Sequence, residues 1–189
     1  MTSFYSEDEL KELGLKEYGV GVLISRKCSI YGAENISLGN HVRIDDFCIL
    51  SGQIEIHDYV HISAYVSMFA GSSRIEIGSY CAISSRNAIY AESDDYSGES
   101  MVNPLVPGKY RHVQSADVNI GRHVIVGTGS TILPGVTVGE GASVGAMSLI
   151  SKDIEPWTMN AGIPAKKIKA RSQKLLEYEE EWMREQNES

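Results

Sequence analysis

The densest run of reactive side chains lies between Ile89 and Ile120. There Asp94-Asp95-Tyr96-Ser97-Gly98-Glu99 is followed by Pro104, Pro107, Gly108, Tyr110, Arg111 and His112. Carboxylates can orient a nucleophile or take its proton, and tyrosines can stack on or hydrogen-bond a ring. So long a stretch without hydrophobic periodicity is expected to be a functional or mobile loop, over about 93–117. Ser84 and Ser85, shortly before it, bring hydroxyls able to hold a water or a second hydroxyl. His41, His57, His61, His112 and His123 offer no convincing set of three ligands, so no metal is expected. Cys28, Cys48 and Cys81 contain no C-x-x-C pair and cannot form a fully paired disulfide framework.

The elements that must position these groups follow from a repeat. Leu38, Ile44, Leu50, Ile56, Ile62 and Met68 recur every six residues. After a three-residue insertion Ile77, Ile83 and Ile89 resume the step, and Ile120, Val126, Ile132, Val138, Val144 and Ile150 hold it again. Ile24 and Ile30 form an earlier pair, offset by two. A period of six fits neither a helix nor a hairpin strand; it predicts a parallel β-helix of short strands meeting at corners. The residue after each aliphatic is often small or polar, as at Gly39, Asp45, Gly121, Gly127 and Gly145. That suits corners, with glycine expected to supply unusual backbone angles. A second inward slot, four residues after the aliphatic, reads Val42, Cys48, Val60, Val66, Cys81, Val124, Ser130, Val136, Ala142 and Ser148, with Cys28 in the same place. The cysteines are thus core residues, not nucleophiles.

Ser6-Glu7-Asp8-Glu9 reads as a capping box with Gly14 ending the helix it starts. Ser172 to Gln186 predicts a second helix, with Leu175, Leu176, Trp182 and Met183 on one apolar face, lying on the coil or on a neighbour and covering the end of the stack. His41 and His123 are expected to face outward. The 189 residues carry 17 Lys+Arg against 25 Asp+Glu, a net charge of −8 with no basic block, which argues against a nucleic-acid partner. At 42% hydrophobic and 22% charged, the chain suits one globular domain. No run approaches the ~20 apolar residues of a bilayer span, and the acidic N-terminus lacks the layout of a secretion signal. A cytoplasmic protein without membrane insertion is expected.

Val124-Ile125-Val126-Gly127 through Ile132-Leu133-Pro134-Gly135-Val136, then Gly145-Ala146, Lys152-Asp153-Ile154 and the closing Asn160-Ala161-Gly162-Ile163-Pro164-Ala165-Lys166-Lys167-Ile168, resemble the hexapeptide-repeat acyltransferases. The resemblance covers nearly the whole length. Phe4-Tyr5-Ser6 and Val42 through Gly52 narrow it to the sugar acyltransferases of surface-polysaccharide (lipopolysaccharide or capsule) pathways, among them the enzymes that N-acylate dTDP-4-amino-4,6-dideoxyglucose. It implies an all-β fold, a left-handed parallel β-helix with an extended loop and a C-terminal α-helix. The whole chain would be a single acyltransferase domain: 1–20 N-terminal helix and lead-in, 21–165 β-helix with its inserted loop, 166–189 C-terminal helix. It further implies a homotrimer with active sites between subunits, acetyl-CoA or another acyl-CoA as co-substrate, and a nucleotide-linked sugar as acceptor. By position in the motif, Thr128, Ala146 and Ser151 fall where relatives contact the pantetheine arm, and Lys166 and Lys169 where they place basic residues near the CoA phosphates.

Many relatives that acetylate sugar hydroxyls carry a catalytic His shortly after the last hexad before the loop. Asp94 takes that slot in this chain. A carboxylate with an ordinary pKa near ~3.9 is a poor base for a hydroxyl, whereas an amine with a pKa of roughly 8 is already partly neutral and nucleophilic. N-acylation by direct attack of a sugar amine on the thioester is therefore expected. Asp94, Glu99 and Ser84 are the catalytic candidates, and Ser85, Tyr96, Tyr110 and His61 the substrate-binding ones. The rival readings are a sugar or polysaccharide O-acetyltransferase using His112 and a non-catalytic trimeric β-helix scaffold.

Overall fold

The computed structural model describes residues 3–188. It is a left-handed parallel β-helix with three faces, each coil using three hexads. On the first face Ile24, Ile44, Ile62, Ile83, Val126 and Val144 stand in register, one coil above the next. Ile30, Leu50, Met68, Ile89, Ile132 and Ile150 do so on the second. Leu38, Ile56, Ile77, Ile120 and Val138 line the third. The residues of the six-step are therefore one continuous core, buried throughout apart from Ile30, which packs against its edge. Aliphatic side chains stacked at strand spacing exclude water from both neighbours, each such side chain contributing about 2 kcal/mol by burial. The second slot is inward as expected: Cys48 and Cys81 are buried and Cys28 is half-buried.

The corners differ from expectation in one respect. The glycine that follows the aliphatic does not carry the positive φ; the residue two places further on does, at Gly21, His41, Tyr59, Tyr80, His123, Gly141 and Trp157 on one corner and Phe47, Tyr65, Arg86, Gly129 and Met147 on another. The glycine is there because the next coil passes too close for a side chain. A Cβ on Gly127 would lie 2.4 Å from the Ala146 nitrogen, and one on Gly121 2.6 Å from that of Glu140. The strained non-glycine corners are supported by their neighbours: the rings of His41, Tyr59, Tyr80 and His123 stack successively at 4.8–5.4 Å.

The ends are closed by the flanking elements. Helix α1 (Glu7–Glu12) has the expected capping box, Ser6 and Glu9 bonding each other's backbone N–H, and seats Leu10 in the core. At the other end Lys166–Ala170 is not helical but an antiparallel strand on Thr158–Ala161, so the closing coil folds back on itself. Helix α2 (Leu175–Glu188) follows and lies along the third corner, which joins the third face to the first and carries His41, Tyr59, Tyr80 and His123, rather than over the end. Trp182 sets its edge against Tyr59 and Tyr80, while Glu179 bonds Arg122 and, at 2.7 Å, Nε2 of His123. His123, stacked on Tyr80 at 5.1 Å with Trp157 tilted beyond it at 6.4 Å, is consequently 8% exposed: the helix covers it where the sequence pattern suggests a solvent-facing residue.

Candidate functional site

The candidate residues fall on two corners. The first corner, between the first and second faces, is built by Ser84-Ser85-Arg86 and, one and two coils above, by Gly127-Thr128-Gly129 and Gly145-Ala146-Met147. Stacking is tight: Thr128 Oγ1 donates to the Ser85 carbonyl at 2.6 Å, the Thr128 and Ser85 hydroxyls lie 3.1 Å apart, and Met147 N–H donates to the Thr128 carbonyl at 2.8 Å. Thr128 and Ala146 are exposed, Ser84 and Ser85 half-buried. They form a strip of small side chains and backbone groups along which an extended chain with amides can lie.

Below that strip His61 continues the column on the first face. Its Nε2 is 2.8 Å from Asp45 Oδ2, and Arg43 Nε donates to Asp45 Oδ1 at 2.8 Å. The Asp45 carboxyl is held below its ordinary value; partial burial raises it, but His61 and Arg43 together outweigh that. Asp45 has no place among the sequence candidates, although it stands one coil below Ser63 and two below Ser84 in the corner column. Spacing alone gives that column, since equivalent corner residues recur once per coil.

Asp94, Glu99, Tyr96 and Tyr110 sit on the second corner, across the second face. The inserted segment opens as a two-stranded ribbon, Glu92–Asp94 against Val113–Ser115, with Asp94 opposite Val113. It is thus partly regular where an irregular excursion is expected. Asp94 is half-buried and accepts Asn103 N–H at 3.3 Å. Asp95 holds the tip, accepting Ser97 N–H at 2.8 Å and both the N–H and the hydroxyl of Ser100 at 3.0 Å; bonds from Ser97, then Ser100, hold its carboxyl at about 2. Tyr96 is 94% exposed, Glu99 is exposed, and Tyr110 lies under Lys109. His112 is exposed just before the ribbon's second strand, and its N–H donates to the Ser100 hydroxyl at 3.1 Å. Ser151 also follows the second face, so within one chain it is apart from Thr128 and Ala146. Lys166 and Lys169 are exposed on the fold-back strand; the intervening Lys167 pairs with Glu155 at 2.7 Å.

Among the described residues Glu55, His57 and Glu76 are the single group able to converge on a cation. Arg74 already bonds Glu76 at 2.6 Å and Glu55 at 3.4 Å, and the group lies on the third face, away from both corners. A groove of about 390 Å³ on that face, lined by His57, Glu76, Arg122 and Glu140, likewise contains no candidate residue. Two of the thiols are unsuited to nucleophilic work: burial pushes Cys81 up to about 12, and Cys48 is raised by its neighbour Cys28 and by burial. Cys28, lowered by its bond with Cys48, is half-buried and donates to the Asp45 carbonyl at 3.1 Å.

Residues 117–152 match the family model described as bacterial transferase hexapeptide (six repeats). The chain is 51% identical over 180 residues to a dTDP-4-amino-4,6-dideoxy-D-glucose acyltransferase of Escherichia coli, covering 94% of this chain and 93% of that one. It superposes on AntD, an N-acyltransferase from Bacillus cereus solved with dTDP and 3-hydroxybutyryl-CoA, with a TM-score of 0.97 at 46% identity, covering 99% of this chain and 100% of that one. A serine-to-cysteine variant of AntD, in complex with dTDP-4-amino-4,6-dideoxyglucose and coenzyme A, gives 0.96 at 45% identity over 98% of this chain and 99% of that one. With a hydrophobic six-step that builds the whole coil and a relative half identical over almost its full length, the chain belongs to the hexapeptide-repeat acyltransferases.

Proposed function

We propose that the protein transfers an acyl group from acyl-CoA to the amino group of a dTDP-linked amino-deoxysugar. The carrying observation is the likeness to dTDP-aminosugar acyltransferases over nearly the full chain, joined to a corner strip facing solvent and a carboxylate, Asp94, presented on a hydrogen-bonded ribbon. The pantetheine arm lies along Thr128 and Ala146, with Lys166 and Lys169 toward the CoA phosphates and Ser151 completing the groove from a second copy. The neutral sugar amine attacks the thioester carbonyl, forming the C–N bond. Backbone N–H groups stabilise the oxyanion, and collapse breaks the C–S bond. Asp94 receives the proton that the nitrogen sheds, directly or through Ser84, and the thiolate leaves with CoA. Glu99, Ser85, Tyr96, Tyr110 and His61 orient the sugar and nucleotide.

The same geometry supports a homotrimer. In one chain the two halves of the site lie on different corners, separated by the second face. That face exposes half-buried apolar residues, Ile49, Phe69, Leu133 and Leu149, together with Tyr90 stacked on Phe69. A three-fold axis facing it covers these residues and sets the first corner of one copy against the second corner of the next. A protein acting on cytoplasmic nucleotide sugars and acyl-CoA would work in the cytoplasm.

Free-thiol release from acetyl-CoA and 3-hydroxybutyryl-CoA tests the reading, using dTDP-linked 4-amino and 3-amino deoxysugars beside the matching hydroxyl sugars. Release with amino sugars alone is expected. Release confined to hydroxyl acceptors, and lost in His112→Gln, contradicts it.

A further inference from the structure

Behind the first corner runs a line of buried polar side chains in a slot built for apolar ones. The inward slot reads Cys28, Cys48 and Val66 in the lower coils, then Asn87, Ser130 and Ser148 in the coils that carry Ser84, Thr128 and Ala146. Asn87 and Ser130 are 1% exposed and Ser148 3%. Their polar atoms are spent on the corner backbone. Asn87 Nδ2 donates to the Ser84 carbonyl at 2.7 Å and to that of Val126 at 3.3 Å, and Asn87 Oδ1 accepts Ser130 N–H at 2.7 Å. Ser130 Oγ donates toward the Gly127 carbonyl at 3.0 Å and the Gly145 carbonyl at 3.2 Å, and accepts Ser148 N–H at 3.1 Å. Ser148 Oγ donates to the Gly145 carbonyl at 2.8 Å and accepts Gly162 N–H at 3.0 Å. In the lower coils the corner carbonyls of Asp45 and Ser63 face only the weak thiol donors of Cys28 and Cys48, at 3.1 and 3.2 Å.

A buried polar network costs more than an apolar filling unless it is fully bonded, and when fully bonded it fixes geometry. On the first corner this one occupies the coils that carry Ser84, Thr128 and Ala146, while the coils below hold Cys28, Cys48 and Val66; a separate buried pair, Thr158 and Asn160, bonds the closing coil. We propose that Asn87 is a positioning residue for acyl transfer: its buried amide locks the Ser84-Ser85 corner at the reacting centre, while Ser130 and Ser148 lock the Gly127-Thr128 and Gly145-Ala146 corners for the pantetheine arm. A corner held by the amide cannot rock, so the thioester carbonyl, the Ser84 hydroxyl and the corner N–H groups keep the spacing that the reaction needs. The inference rests on the acyl-transfer reading and assigns the reacting centre and the arm different buried supports.

The test uses Asn87→Val, which installs what the coil below carries at Val66, with Asn87→Ser as the conservative variant matching the coils above, and Ser130→Ala. Turnover by the wild type checks the reading itself; the inference is read from variants relative to wild type with whichever acceptor the wild type uses. Asn87→Val is expected to lower kcat about 100-fold with KM for acyl-CoA within about twofold, a misplacement effect. Asn87→Ser is expected to regain most of the loss, because its hydroxyl can still donate to the Ser84 carbonyl. Ser130→Ala is expected to raise KM for acyl-CoA several-fold with the smaller change in kcat. If Asn87→Val does not fold, Asn87→Ala, which also removes the donor to the Ser84 carbonyl, takes its place. A folded Asn87→Val or Asn87→Ala protein with kcat within about twofold of wild type, or a fall in kcat and rise in KM shared equally by these and Ser130→Ala, would overturn the proposal.

Discussion

Asp94 and Asp95 are adjacent carboxylates in different surroundings. Asp95 is saturated by Ser97 and Ser100, whereas Asp94 accepts Asn103 N–H from the ribbon and remains half-buried. If Asp94 takes the amine's proton, Asp94→Asn should lower kcat by about 100-fold or more, in the range of general-base contributions; near-full turnover in steady-state kinetics would leave it a positioning role. Asp95 sets the acid limit of the loop. Its folded pKa of about 2 lies below its ordinary 3.8, so the stability it lends is complete above about 4 and is lost as pH falls toward 2. Cleavage of the loop by pepsin should therefore stay slow near pH 4 and accelerate toward pH 2, while Asp95→Asn should be cut rapidly at both. Equal rates for the two proteins near pH 4 would refute that role for Asp95. The family resemblance points to Asp94, which takes the slot where many relatives carry a His, but the sequence does not separate the roles of the two aspartates. That separation arises from the turn made by Ser97 and Ser100, which no periodicity encodes.

The coil is legible because a repeat imposes one pattern many times: each aliphatic in the six-step has a stacked partner of its own kind. The corners are less so. Gly127 looks like a residue chosen for its dihedral angles, yet what it provides is clearance for the Ala146 backbone. Gly127→Ala should cost about 1–3 kcal/mol in chemical denaturation, as an overpacked contact does, and should widen the strip beside Ala146. The aromatic ladder on the third corner has a trace in the sequence, as His41, Tyr59, Tyr80 and His123 recur once per coil. Its cover has none, because the docking of α2 depends on Trp182 meeting Tyr59 and Tyr80 across the tertiary fold. Trp182→Ala should lower stability by about 1–3 kcal/mol in thermal melts and leave kcat unchanged, since α2 lies on the corner that carries no candidate residue. A large loss of kcat with an unaltered melting curve would show that α2 has a part in catalysis. The fold-back of Lys166–Ala170 is hidden because a basic run followed by helix formers reads as a helix start, while the free edge of Thr158–Ala161 claims it as a strand.

At the scale of the whole molecule, the proposed site between copies is what would bring the candidate residues together. The first corner supplies the strip beside Ser84, Thr128 and Ala146, the second supplies Asp94 on its ribbon, and the apolar second face stands between them. The resemblance implies sites between subunits, but the sequence alone does not show that the two sets stand on different corners, since residues ten positions distant in a β-helix can lie around a corner from each other. The direct measurement is complementation between inactive variants. Ser84→Ala and Asp94→Ala proteins, each checked to be folded, are unfolded together and refolded at equal amounts, then assayed for thiol release from acyl-CoA with the amino sugar. If each site takes Ser84 from one copy and Asp94 from the next, random mixing restores both residues at about a quarter of the sites, and activity should return to roughly that fraction of wild type. If the mixture stays as inactive as its two components although the chains have exchanged, both residues belong to a site within one chain, and a site shared between two copies is ruled out.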